Sequence, residues 1–161
     1  MTDRIARRGA RVVVLDDDDC VLLLRGFDPS DEAPPWWFTP GGGVDEGESE
    51  LAAAQRELFE ETGFRAASLV GPIWYRTTDF AFLGEKFRQS EVFYLLRTER
   101  FAPTTTHWTD VERDTMLGFR WWDLTELERS GETFYPGSLV QHVRDLLQNG
   151  VAAEPIDVGA D

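Results

Sequence analysis

The chain has 161 residues, enough for one well-packed domain and too few for two comfortable ones. A hydrophobic content of 42% argues against general disorder. With 16 basic and 30 acidic residues the formal net charge is −14, which discourages nonspecific binding to DNA, long RNA or an anionic membrane.

Residues 1–10 read as an N-terminal arm ahead of a domain spanning 11–150. Arg4, Arg7, Arg8 and Arg11 suggest the basic start of a signal peptide, but the apolar run from Val12 to Leu15 stops at four aspartates. That run is too short for a signal core, and no later stretch is long enough to span a membrane, so a cytoplasmic protein is expected. Cys20 is the only cysteine, which excludes an intramolecular disulfide and a Cys-based zinc site. The runs RVVVL (11–15) and CVLLLRG (20–26) flank Asp16 to Asp19 and predict a hairpin whose aspartates form a solvated turn; they lack the glycine and distal glutamate of a calcium loop. Residues 27–35 are a polar, proline-rich loop, and WWFTPGGG (36–43) is an extended approach to the next element.

Residues 49–62 contain no Pro or Gly and are rich in Ala, Leu, Gln and Glu, which predicts a helix ended by Gly63. Leu51, Ala54 and Leu58 form its apolar stripe. Beyond it, 68–78 and 86–97 predict two strands joined by a turn near Gly84, and 103–115 reads as a loop. Residues 116–124 predict a strand, 125–131 a short helix, 138–150 an amphipathic helix closed by Gly150, and 151–161 a frayed tail.

The chemistry concentrates on the helix over 49–62. Glu57, Glu60 and Glu61 are spaced i, i+3, i+4 and so share one side. Three carboxylates held together near a helix C-terminus repel one another and face the negative end of the backbone dipole. A hard divalent cation such as Mg²⁺ resolves that conflict and commonly bridges a few carboxylates to substrate phosphates. Arg56 can orient a neighbouring carboxylate through its planar fork of donors. The bland alternative is an acidic face turned to solvent.

Residues 42–64 as a whole read GGVDEGESELAAAQRELFEETGF, with Pro40-Gly41 just before them. Gly42, Glu48, Arg56-Glu57, Leu58, Glu60-Glu61, Gly63 and the apolar Phe64 have the full spacing of the Nudix box, and the chain resembles the Nudix hydrolases. The resemblance implies a single α/β domain, an α/β/α sandwich with a mixed sheet. It also implies hydrolysis of a nucleoside diphosphate linked to another group, with Mg²⁺ or Mn²⁺ and an activated water. By the family's pattern Glu57, Glu60 and Glu61 are metal ligands, the Gly41 carbonyl adds a ligand, Arg56 orients the glutamates, and Gly42 and Glu48 sit behind them. Phe64 is bulkier than the usual aliphatic residue there, a departure that touches packing.

Nudix enzymes often draw a further carboxylate from outside the box, as a ligand or as the base for the attacking water. Glu112 is the first candidate, with Asp110, Asp114, Glu85 and Glu91 as alternatives. Arg25, Arg76 and Arg88 are candidates for a distal phosphate or sugar, or else partners of acidic residues. In the pairs Trp36-Trp37 and Trp121-Trp122 strand alternation leaves at most one member of each free to meet a nucleobase. His107 and His142 make no persuasive zinc or catalytic site. The expected partner is a small nucleotide, with no DNA, long RNA or membrane, and the expected state is a monomer or homodimer. A nucleotide-sensing domain without turnover is the rival reading, and the intact Arg56, Glu57, Glu60, Glu61 set argues against it.

Overall fold

In the computed structural model, which describes residues 3–161, nine strands and four helices follow one another along the chain. They are β1 (Ile5–Leu15), β2 (Val21–Gly26), β3 (Trp36–Phe38), β4 (Gly41–Gly43), α1 (Glu50–Thr62), β5 (Val70–Phe82) and β6 (Glu85–Arg97). Then come α2 (Asp110–Thr115), β7 (Met116–Trp122), α3 (Leu124–Arg129), β8 (Thr133–Tyr135), α4 (Leu139–Asn149) and β9 (Ile156–Asp157). The strands form one mixed sheet in the order β8-β3-β2-β1-β6-β5-β9, with β4 also paired to β1 and β7 to β2. β1 lies parallel to β6 and antiparallel to β2 and β4.

Strand alternation explains the layers. Val13 and Leu15 of β1 point to one face, where they meet Leu139, Val143 and Leu146 of α4 and Leu127 of α3. Val12 and Val14 point to the other and pack with Ala53, Ala54 and Leu58 of α1. The sheet is therefore covered on both sides, an α/β/α sandwich, and its central strands read as continuous apolar runs for that reason. The tryptophan pairs follow the same rule: Trp37 and Trp122 are buried and meet edge to face at 5.2 Å, while Trp36 and Trp121 are only half-buried.

Helix α1 begins where Ser49 accepts a hydrogen bond from the Ala52 N–H and ends at Gly63, whose φ of 81° is the left-handed cap that glycine adopts without strain. Its inward positions are Ala53, Ala54 and Leu58; Leu51, expected in that stripe, is 40% exposed because the first turn's inward place is taken by Ala53. Leu58 is fully buried, so Leu58→Ala should lower the unfolding free energy by about 3 kcal/mol through the cavity it leaves. Urea denaturation would show this as a lower midpoint at an unchanged slope.

Three segments differ from the sequence expectation. The arm over 1–10 is strand from Ile5 onward, because Ile5 through Ala10 zip in parallel onto Phe87 through Val92. The loop over 103–115 contains α2, held by a reciprocal capping box between Thr109 and Glu112. The tail over 151–161 is docked: Ile156 and Asp157 pair with Trp74 and Tyr75, Val158 is buried, and the Ser138 hydroxyl donates to the Val158 carbonyl at 2.7 Å.

Candidate active site

A cleft of about 750 Å³ opens between the C-terminal half of α1, the glycine turn of β4, the inward faces of β5 and β6, and α2. Glu57, Glu60 and Glu61 lie on its wall because α1 ends there, and Glu112 joins them because α2 faces α1 across the cleft. Carboxylate oxygens of Glu57, Glu61 and Glu112 come within 4.8 Å of one another. Glu60 is not part of that trio. It is one-third exposed and its Oε2 accepts from Arg56 Nη1 at 3.2 Å.

Arg56 is the hub that fixes the helix against the turn. Its Nε and Nη2 donate to the two oxygens of Glu48 at 2.8 and 3.0 Å, Nη1 donates to Glu57 Oε1 at 2.9 Å, and Nη2 also reaches the Gly43 carbonyl at 2.9 Å. The Glu48 pKa is held at about 2, chiefly by the Arg56 hydrogen bonds, with help from the Asp45 N–H. Gly42 serves close approach: a Cβ there would sit 2.6 Å from the Glu57 carboxyl carbon. The Gly41 N–H donates to Glu61 Oε2 at 3.1 Å.

The glutamates that converge are electrostatically unsatisfied. Glu61 is 3% exposed and its pKa is pushed well up, first by burial and then by the charges of Glu57 and Glu112, against a weaker pull from the Gly41 N–H and Arg11. Glu57 is raised in the same way, burial outweighing its contact with Arg56. Three oxygen donors, two of them with raised pKa values, fit a hard divalent cation. Mg²⁺ or Mn²⁺ at millimolar concentration should therefore raise the melting temperature by mass action on the native state, with a smaller response from Glu57→Gln. A melting curve indifferent to either ion would contradict the donor set.

The cleft floor holds an arrangement the sequence did not single out. Glu91 of β6 is 2% exposed and accepts from Arg11 Nε at 2.8 Å and Arg76 Nε at 2.7 Å. Burial alone would raise its pKa; the two guanidinium charges and their hydrogen bonds outweigh burial and hold it at about 2. A carboxylate clamped in this way is a poor base, which removes Glu91 from the alternatives to Glu112. The two guanidinium groups thus bracket one buried carboxylate on the floor, with Asp161 beside Arg76. Arg11, on β1 beside the arm, carried no motif.

The other candidates divide between the cleft and the rest of the surface. Arg76 is on the cleft floor, where its Nη1 also donates to the Asp161 carbonyl at 2.9 Å. Arg88 is on the opposite sheet face, paired with Asp79 at 2.8 Å, and Arg25 lies over the Trp37 ring, so neither borders the cleft. Of the remaining acids, Asp110, Asp114 and Glu85 are also outside its walls. Glu112 borders the cleft from α2, with Oε1 accepting from the Thr109 N–H at 2.9 Å. Aromatic side chains also line the cleft, Phe27, Trp36, Phe80, Phe82 and Tyr135, with Asp28 and Asp31 near them in sequence.

Residues 6–143 match the NUDIX domain family, and the chain belongs to it. The RNA pyrophosphohydrolase of Rhizobium meliloti is 54% identical over 46 residues, 27% of this chain and 28% of that protein, so the match spans under a third of the relative's length. Among solved structures, the E. coli dihydroneopterin triphosphate pyrophosphohydrolase superposes with a TM-score of 0.64 at 19% identity, covering 91% of this chain and 99% of that one. The NUDIX domain of Shewanella oneidensis NrtR, solved with ADP ribose, gives 0.65 at 18% identity over 91% of this chain and 90% of that chain. At such identities these likenesses speak to the fold. No helix among the described residues is long and apolar enough to cross a membrane.

Proposed function

We propose that the protein is a divalent-metal-dependent pyrophosphohydrolase acting on a nucleotide that carries a diphosphate linkage. The observation that carries this reading is the convergence of Glu57, Glu61 and Glu112 beside a floor of arginines. Glu57 and Glu61 would hold Mg²⁺ or Mn²⁺, with the Gly41 carbonyl and Glu60 as further donors, and Glu112 stands beside the ion. Such an ion, when bound, supplies charge neutralisation on the diphosphate and Lewis acidity toward an attacking water. Arg11 and Arg76 present positive charge to the phosphates from below. Arg56 and Glu48 keep Glu57 in place, and the half-buried Trp36 in the cleft lining offers a stacking surface for a base.

The two oxygens of Glu112 have separate tasks in this reading. Oε1 is tied to the Thr109 N–H, and the other is free to accept a proton within reach of Glu57 and Glu61. Glu112→Gln keeps the capping bond and removes the basic oxygen, so kcat should fall about 10²-fold with KM little changed. An unchanged kcat would move the base to a box glutamate.

Two nucleotide classes suit the cleft: free nucleoside polyphosphates, and RNA that carries a 5′-polyphosphate, RNA being the substrate in the name of the Rhizobium relative. A cytoplasmic location suits both, along with the sole, buried Cys20. The test is a substrate panel with and without Mg²⁺, with the products identified. Metal-dependent release of a nucleoside monophosphate or a 5′-monophosphate end supports the proposal, and tight nucleotide binding without turnover would favour the sensor instead.

A further inference from the structure

We infer that an arginine-lined shoulder next to the cleft is a second binding site, for the phosphodiester backbone of an oligonucleotide whose 5′-polyphosphate end occupies the cleft. The inference rests on the hydrolase reading above and chooses between its two substrate classes. The shoulder is a depression of about 540 Å³ bordered by Arg7, Arg8, Arg88 and Ser90, with Gly43 on its rim. Arg7 and Gly43 also border the catalytic cleft, so the two cavities meet at one ridge.

The sheet explains why these charges gather there. β1 and β6 run parallel and pair Ala6 with Arg88 and Arg8 with Ser90, which puts those side chains on the face opposite Gln89 and Glu91 of the cleft. Beside them β4 ends at Gly43, paired with Gly9, so the first half of β1 is left at a sheet margin. Gly43 keeps the ridge low: a Cβ there would come within 3.3 Å of Arg7 Nη2. Arg7 itself lies over the Phe87 ring at 5.1 Å and makes no ion pair among the described residues.

Local charge decides the partner, because screening confines interactions between exposed charges to about 8–10 Å. The whole chain carries 30 acids to 16 bases, yet residues 4–15 contain four arginines and no acid. Two carboxylates pair directly with arginines at or beside the shoulder, and Asp45 and Glu46 follow Val44 of its lining in the chain. Glu50 is 3.4 Å from Arg8, and Asp79 is 2.8 Å from Arg88 and 3.4 Å from Arg4. These pairs are exposed and weak, so a phosphodiester can compete for their arginines. A mononucleotide in the cleft cannot reach across the ridge, whereas the next nucleotides of a chain can. The net charge that discourages long RNA in general leaves this one path open.

The test compares two non-hydrolysable product-state probes in Mg²⁺: a 5′-monophosphorylated decaribonucleotide and the matching nucleoside 5′-monophosphate. The decamer should bind at least about 10-fold more tightly. Its log Kd against log salt slope should be steeper by about 1.4 to 2, the value for two or three phosphates on a single strand. Arg8→Glu and Ser90→Glu, both at exposed positions, should each remove most of that advantage while leaving mononucleotide affinity within about 2-fold. Equal affinity for the two probes, or an advantage that survives both charge changes, overturns the inference. Failure to hydrolyse any nucleotide would instead remove the hydrolase reading, and the affinity ratio would still be read.

Discussion

Glu61→Gln should reduce Mg²⁺-dependent hydrolysis at least about 10³-fold while leaving the protein as stable as the wild type or more so. Transition-state charge stabilisation of several kcal/mol depends on a correctly held cation, and each step of about 1.36 kcal/mol is tenfold in rate. Stability follows from the site's own electrostatics. Glu61 is buried beside Glu57 and Glu112, and its raised pKa states that the folded protein resists its ionisation. Glutamine removes the charge, keeps an oxygen for the Gly41 N–H, and relieves the repulsion. Loss of activity with a gain in melting temperature is the signature of a site in which function and stability conflict. Hydrolysis at the wild-type rate would make the box a structural relic.

The second large effect is on stability and lies in the cleft floor. Glu91→Gln leaves Arg11 and Arg76 buried without their shared counter-charge, and breaking a buried ion pair from one side typically costs about 3–5 kcal/mol. The pH dependence has a definite sign. A carboxylate whose folded pKa is lowered, here to about 2, contributes stability above its unfolded value near 4.5, and loses it as pH falls toward 2. The gap between wild type and Glu91→Gln should therefore be full at pH 7 and narrow progressively below about pH 5. Equilibrium unfolding in urea at a series of pH values would read both; a gap that stays constant down to pH 2 would show that the charge is not its origin.

How much of this was legible in the sequence depends on how local each feature is. Helix α1, its Gly63 cap and the shared side of Glu57 and Glu61 follow from spacing within a dozen residues. α2 escaped because six residues are too few to show a period, though Thr109 and Glu112 carry the capping-box spacing that marks its start. The Arg11–Glu91–Arg76 array was out of reach: it joins three strands, and its register is set by pairing that no single strand encodes. The same uncertainty separated Arg76 from Arg88. Both lie on strands rich in polar residues, but register places Arg76 opposite Glu91 on the cleft face and Arg88 beside Asp79 on the other. The segment around Ile156 looked frayed because its order comes from the free edge of β5, far away in sequence.

The central claim is that Glu57, Glu61 and Glu112 form a metal-dependent hydrolytic centre, and phosphorus NMR of the reaction products tests it most directly. A nucleoside triphosphate and a short 5′-triphosphorylated oligoribonucleotide would each be incubated with the wild type, with Glu61→Gln and with metal-free wild type. The account predicts that the wild type with Mg²⁺ alone cleaves a diphosphate linkage and leaves a 5′-monophosphate, with both controls silent. Equal product from all three samples, or none from the wild type with Mg²⁺ across both substrates, would contradict it.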